Sequence, residues 1–92
     1  MDSQPEVWIF HGVNGRFSSG VFNSRHLAEQ FIAKHLLTGT LTKYPLNVGV
    51  YDWAVQNGYF IAAKPQHDTP EFIQAFTTAS QEHYHYENGN PD

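Results

Sequence analysis

Asn14-Gly15 stands between two runs rich in strand-forming residues, Val7-Trp8-Ile9-Phe10-His11-Gly12-Val13 and Arg16-Phe17-Ser18-Ser19-Gly20-Val21-Phe22. Both central positions of a type I′ turn need positive φ, which Asn and Gly tolerate, so this pattern predicts a two-residue β-hairpin. A loop of that length sets the register. Val13 is expected opposite Arg16, His11 opposite Ser18, Ile9 opposite Gly20 and Val7 opposite Phe22, leaving Trp8, Phe10, Phe17 and Val21 on the other face. Both faces are apolar, and each calls for a cover.

The next segment supplies one. Ser24 is a natural N-cap, and Leu27, Ala28, Phe31, Ile32, His35 and Leu36 recur at helical spacing, with Arg25, Glu29, Gln30 and Lys34 outside. Gly39 is expected to end the helix. Thr40-Leu41-Thr42-Lys43-Tyr44 then reads as a strand stopped by Pro45. A short helix is expected from Asp52, as cap, to Gly58, as stop, followed by Tyr59-Phe60-Ile61-Ala62, which fits a brief strand or a helix equally. Thr69-Pro70-Glu71 opens a third helix with Phe72, Ile73, Phe76 and Ala79 as its buried stripe. From Ser80 to Tyr86 the period becomes two. The expected fold is α+β: a small antiparallel sheet built on the N-terminal hairpin, with two to three helices packed mainly on one face. One domain is expected over residues 6–87, with residues 1–5 and 88–92 as flexible termini.

A chain of 92 residues buries only about 60–65% of its unfolded surface. Seven Phe, five Tyr and two Trp must therefore fill much of the core. The absence of cysteine removes disulfides, thiolate catalysis and cysteine zinc sites. No apolar run approaches the roughly 18 residues that span a bilayer, and Met1-Asp2-Ser3-Gln4-Pro5-Glu6 has no basic or apolar leader. The expectation is a cytoplasmic protein with no membrane partner. Residues 65–92 hold Asp68, Glu71, Glu82, Glu87 and Asp92 and neither Lys nor Arg. Such a segment repels a phosphate backbone, which argues against nucleic acid and for a basic protein partner.

Several strings together carry a resemblance: Val7-Trp8-Ile9-Phe10-His11-Gly12, Ser19-Gly20-Val21-Phe22-x-Ser24, Gly39-Thr40-Leu41-Thr42-x-Tyr44-Pro45, Val50-Tyr51-Asp52-Trp53-Ala54 and Ser80-Gln81-Glu82-His83-Tyr84-His85-Tyr86-Glu87. Over nearly all of residues 6–89 the chain resembles a family of small bacterial domains of unknown function. In size and style such domains are similar to immunity proteins, which neutralise a toxin by binding it; by that analogy the resemblance implies an inhibitor acting by contact.

The Ser80–Glu87 segment is also the densest chemistry in the chain. Spacing of two puts His83 and His85 on one strand face and Tyr84 and Tyr86 on the other. Two imidazoles at that spacing suit Zn, Ni or Cu, with His11, Glu82 or Glu87 as a third ligand, although no third ligand stands at a diagnostic spacing. The plain alternative is a polar strand face. His11 reads either as a core histidine satisfied by one hydrogen bond or as a general base paired with Asp52 or Glu82. Neither Ser18-Ser19-Gly20 nor Gly12-Val13-Asn14-Gly15 has the context of a nucleophile elbow or a phosphate loop. Tyr51-Asp52-Trp53 is a helix start feeding rings into the core, or an aromatic anchor at an interface.

These readings combine into one expectation: an acidic, non-catalytic module that binds another protein, either a basic partner or a second copy of itself, and needs no cofactor. Its binding residues are expected among Glu82, His83, Tyr84, His85, Tyr86, Glu87, Asp52 and Trp53. The alternative is a metal-binding or hydrolase-like protein using His83 and His85.

Overall fold

Alternation shapes the first strand. In β1 (Glu6–Gly12) Trp8 and Phe10 are buried while Val7, Ile9 and His11 are more open, the two-residue period of a strand with one covered face. The computed structural model describes residues 6–92, and the flexibility expected of residues 1–5 lies outside the described residues. It continues with β2 (Gly20–Phe22), α1 (Arg25–His35), β3 (Gly39–Pro45), α2 (Val50–Gln56), a 3-10 turn at Pro65–Asp68, α3 (Pro70–Gln74), β4 (His83–Glu87) and β5 (Asn90–Pro91). All strands join one antiparallel sheet in the order β2-β1-β3-β4-β5. The protein is an α+β fold with the N-terminal hairpin in place. Two compact units divide the chain, one formed by the chain up to Leu46 with Gln81–Asp92, the other by Asn47–Ser80.

In the first unit the hairpin pairs one residue out of step with expectation. Trp8 faces Phe22, Ile9 faces Val21 and Phe10 faces Gly20. Residues 13–19 form a longer connection, in which Asn14 takes φ 67° and Gly15 does not share the positive φ of a type I′ turn. A slip of one residue exchanges the faces of a strand. Phe22 thereby joins Trp8 and Phe10 and packs on Phe31 of α1, ring centroids 5.5 Å apart, while Phe17 is left 79% exposed in the loop. Burial of Phe22 outweighs the tight turn.

The covering helix starts where Ser24 accepts a hydrogen bond from the Leu27 amide at 3.2 Å. It ends at Leu36, which adopts the left-handed conformation at φ 57°, rather than by means of Gly39. That glycine opens β3 instead. A Cβ there would press on the His11 carbonyl and come within 2.8 Å of the Phe10 ring, so its bare backbone lets β1 and β3 close over Phe10. Ala28 and Ile32 of α1 meet Trp8, Phe10, Leu41 and Tyr86 in the core, with Phe22, Phe31, Leu37 and Tyr84 packed around them.

The C-terminal residues extend the sheet. Asn88 and Gly89 take φ 52° and 88° and join β4 to β5, with Glu87 opposite Asn90 and Tyr86 opposite Pro91. Here the Asn-Gly rule for a two-residue hairpin holds. The Gly89 amide also donates to the Leu37 carbonyl at 2.8 Å, and a Cβ on Gly89 would lie 3.1 Å from Leu36 Cα. Gly89→Ala is expected to lose about 1–2 kcal/mol, because an L side chain resists positive φ; a urea denaturation midpoint equal to that of the unsubstituted chain would contradict this turn.

In the second unit α2 begins one turn earlier than expected. Gly49 is its N-cap and Asp52 lies inside its first turn, where a carboxylate suits the helix dipole. Gly58, at φ 75°, follows the helix end. Tyr59–Ala62 forms neither strand nor helix. Thr69 caps α3 as expected, accepting from the Phe72 amide at 3.2 Å, yet α3 stops at Gln74, and Ile73 is 38% exposed rather than buried. Its aromatics pack among themselves: Phe60 lies 5.1 Å from Phe76 and 5.6 Å from Phe72, and Tyr51 lies 5.4 Å from Phe76. Among the described residues no helix is long and apolar enough to cross a membrane.

Candidate functional site

Strand β4 turns its tyrosines inward. Tyr86 is buried at 3% exposure and Tyr84 is half-buried, while His83, His85 and Glu87 are exposed. The register explains the choice of face: Leu41, at the centre of the core, stands opposite Tyr84, and Gly39 stands opposite Tyr86, so the tyrosines share the face covered by α1.

Around these phenols runs a charged network at the rim of the core. The Tyr86 hydroxyl donates to Glu29 Oε2 at 2.5 Å, and Arg25 Nε bonds the same carboxylate at 3.2 Å. The Arg25 guanidinium lies 3.6 Å above the Tyr84 ring, a cation–π contact. Tyr84 in turn donates to Glu82. Lys43 Nζ completes the chain, 3.0 Å from Glu82, 3.6 Å from Glu6 and 5.8 Å over the Trp8 ring.

These contacts shift the titrations. The Tyr84 hydroxyl and the Lys43 ammonium hold the Glu82 carboxyl below its usual range, and Glu82 in turn raises Tyr84 and Lys43. Burial, then the bond to Glu29, pushes Tyr86 up to about 12. Tyr84, Tyr86 and Glu82, expected as binding residues, are thus engaged within the fold: the tyrosines support the core and Glu82 is an ion-pair partner.

The opposite sheet face has a different chemistry. His11 on β1 faces Thr40 on β3, which faces His85 on β4, and Thr42 faces His83. Their rings make few bonds. His83 Nδ1 donates to the Gln81 carbonyl at 2.7 Å, His85 Nδ1 lies 3.4 Å from Thr40 Oγ1, and His11 Nε2 donates to the Gly15 carbonyl at 2.6 Å. His11 is accordingly an exposed turn-holding residue rather than a core histidine. The Glu82 carboxylate is held by Tyr84 and Lys43 on the other face of the sheet. A shallow cavity of about 470 Å³ at the end of this face is lined by His11, Thr40, His85 and Asp92 among others. The exposed Val21, on the same face as Ile9, adds apolar surface at 65% exposure.

Asp52 and Trp53 belong to the second unit. Trp53 packs on Tyr59, centroids 5.2 Å apart, and its carbonyl accepts from the Asn57 side chain at 2.8 Å; Asp52 is exposed. Sequence reasoning missed Arg25, Glu29, Lys43, Thr40 and Asp92. Lys43 carried a signal, since it follows Leu41 at strand spacing and so shares the core face with it.

Among the described residues no three His, Asp or Glu side chains converge as a metal site. A family model described as a domain of unknown function (DUF7710) matches residues 7–92. No curated protein and no solved structure matches the chain.

Proposed function

We propose that this chain, which belongs to the DUF7710 family of domains of unknown function, is a non-catalytic protein-binding module that docks a basic partner on the sheet face opposite α1. One observation carries the reading: that face presents His11, Val21, His83, His85, Glu87 and Asp92 to solvent and places no Lys or Arg on its strands. Exposed apolar and imidazole surface beside the Glu87 and Asp92 carboxylates suits a cationic protein surface, with the charges steering encounter. An immunity-type inhibitor is the form of this proposal in which the partner is a toxin, met in the cytoplasm.

Glu87 and Asp92 are the charges to reverse, because reversing Glu82 would break its pair with Lys43. Pull-down from the native host with Glu87→Lys/Asp92→Lys is expected to recover at least tenfold less partner than the unsubstituted bait. Equal recovery would count against an acidic docking face.

A further inference from the structure

We propose that His83 and His85 form a two-point chelate for a borderline divalent transition ion, Cu²⁺ above Ni²⁺ or Zn²⁺, independently of any protein partner. The two exposed side chains project from the same face of β4 with ring centroids 5.4 Å apart. Small rotations of exposed rings bring two Nε2 atoms at this spacing to one ion.

One hydrogen bond sets the His83 tautomer in favour of this. A carbonyl oxygen only accepts, so the 2.7 Å contact between His83 Nδ1 and the Gln81 carbonyl puts the proton on Nδ1 and leaves the Nε2 lone pair to solvent. Gln81 is itself pinned, 5% exposed, with its side-chain amide donating to the Lys43 carbonyl at 3.1 Å. Metal-binding histidines are commonly oriented in this way by a backbone carbonyl on the other ring nitrogen. His85 Nδ1 lies 3.4 Å from Thr40 Oγ1; that hydroxyl accepts from one tautomer and donates to the other, so the contact accommodates the tautomer with a free Nε2 that an ion selects.

Two imidazoles are the fixed part of the site. Asp92 stands beside it: its amide donates to the His85 carbonyl at 2.8 Å, placing it across from His85 in the β4–β5 pairing. Water completes the coordination. Imidazole donors select Cu, Ni and Zn over Mg and Ca, and divalent affinities rise to Cu²⁺.

Calorimetric titration of the full chain with Cu²⁺ tests the proposal. One equivalent is expected to bind, His83→Ala and His85→Ala each weakening it at least about tenfold, whereas His26→Ala and His35→Ala leave it unchanged and Mg²⁺ gives no binding. In the unsubstituted protein, paramagnetic Cu²⁺ is expected to broaden the imidazole NMR signals of His83 and His85 first, a readout that does not depend on whether a variant folds. No Cu²⁺ binding, binding by either variant as tight as that of the unsubstituted chain, or first broadening at His26 or His35 would overturn the site.

Discussion

Phe10→Ala is expected to cost about 3–5 kcal/mol, a large share of the roughly 5–15 kcal/mol that holds a small domain folded, while Phe17→Ala changes stability by no more than about 0.5 kcal/mol. Both rings fall on one face if Asn14-Gly15 closes a two-residue turn, and they part company in the observed register. Phe10 is 1% exposed between β3 and α1, its ring centroid 6.5 Å from that of Phe31. Phe17 is 79% exposed. Removing the first leaves a cavity that the fully buried Ile32 and Leu41 cannot fill without moving the helix or the sheet; removing the second uncovers nothing. Urea denaturation of the two variants measures the difference directly. Equal losses from Phe10→Ala and Phe17→Ala would mean that the hairpin pairs in the tight-turn register after all.

The same hairpin shows where a sequence is legible and where it is not. Asn-Gly occurs at 14–15, 57–58 and 88–89; the first and last pairs lie between strands, and the chemistry of those two dipeptides is identical. What separates them is distant: Phe22 gains a place against Phe31 when the first hairpin slips by one residue, whereas the second hairpin is seated by the Gly89 amide on the Leu37 carbonyl. Capping by Ser24 and Thr69 was readable because the bonds are three residues long. The stop at Leu36 was not, because a non-glycine residue in the left-handed region carries no local mark.

The candidate site divides along the same line. Alternation in His83-Tyr84-His85-Tyr86 announces two faces, but a period of two has no sign. Leu41 opposite Tyr84 supplies it, and that pairing joins residues more than forty positions apart. Asp92 beside His85 was hidden for a related reason, since a tail that looks too polar to fold becomes a strand only when β4 is there to pair with it.

Inward orientation of Tyr86 has an alkaline consequence. An unfolded Tyr86 ionises near 10, while the folded phenol is held up to about 12, first by burial and then by its bond to Glu29. Below pH 10 the phenol is neutral in both states and its full stabilisation is present. Between pH 10 and 12 the unfolded chain releases this proton and the folded protein does not, so stability is lost as pH rises. Two units of difference correspond to about 2–3 kcal/mol. Tyr86→Phe removes that loss, at the expense near neutral pH of about 1–2 kcal/mol for a carboxylate left with one donor fewer, a cost tempered by Arg25, which still reaches Glu29 at 3.2 Å. Tyr84, Tyr51 and Lys43 are also raised, but they titrate in both proteins and cancel in the difference. The measurement is the urea midpoint of each protein from pH 9 to 12: the two curves are expected to converge or cross as pH rises. Parallel curves across that range would mean that Tyr86 ionises as freely in the folded protein as in the unfolded chain, and that the core face of β4 carries His83 and His85 instead.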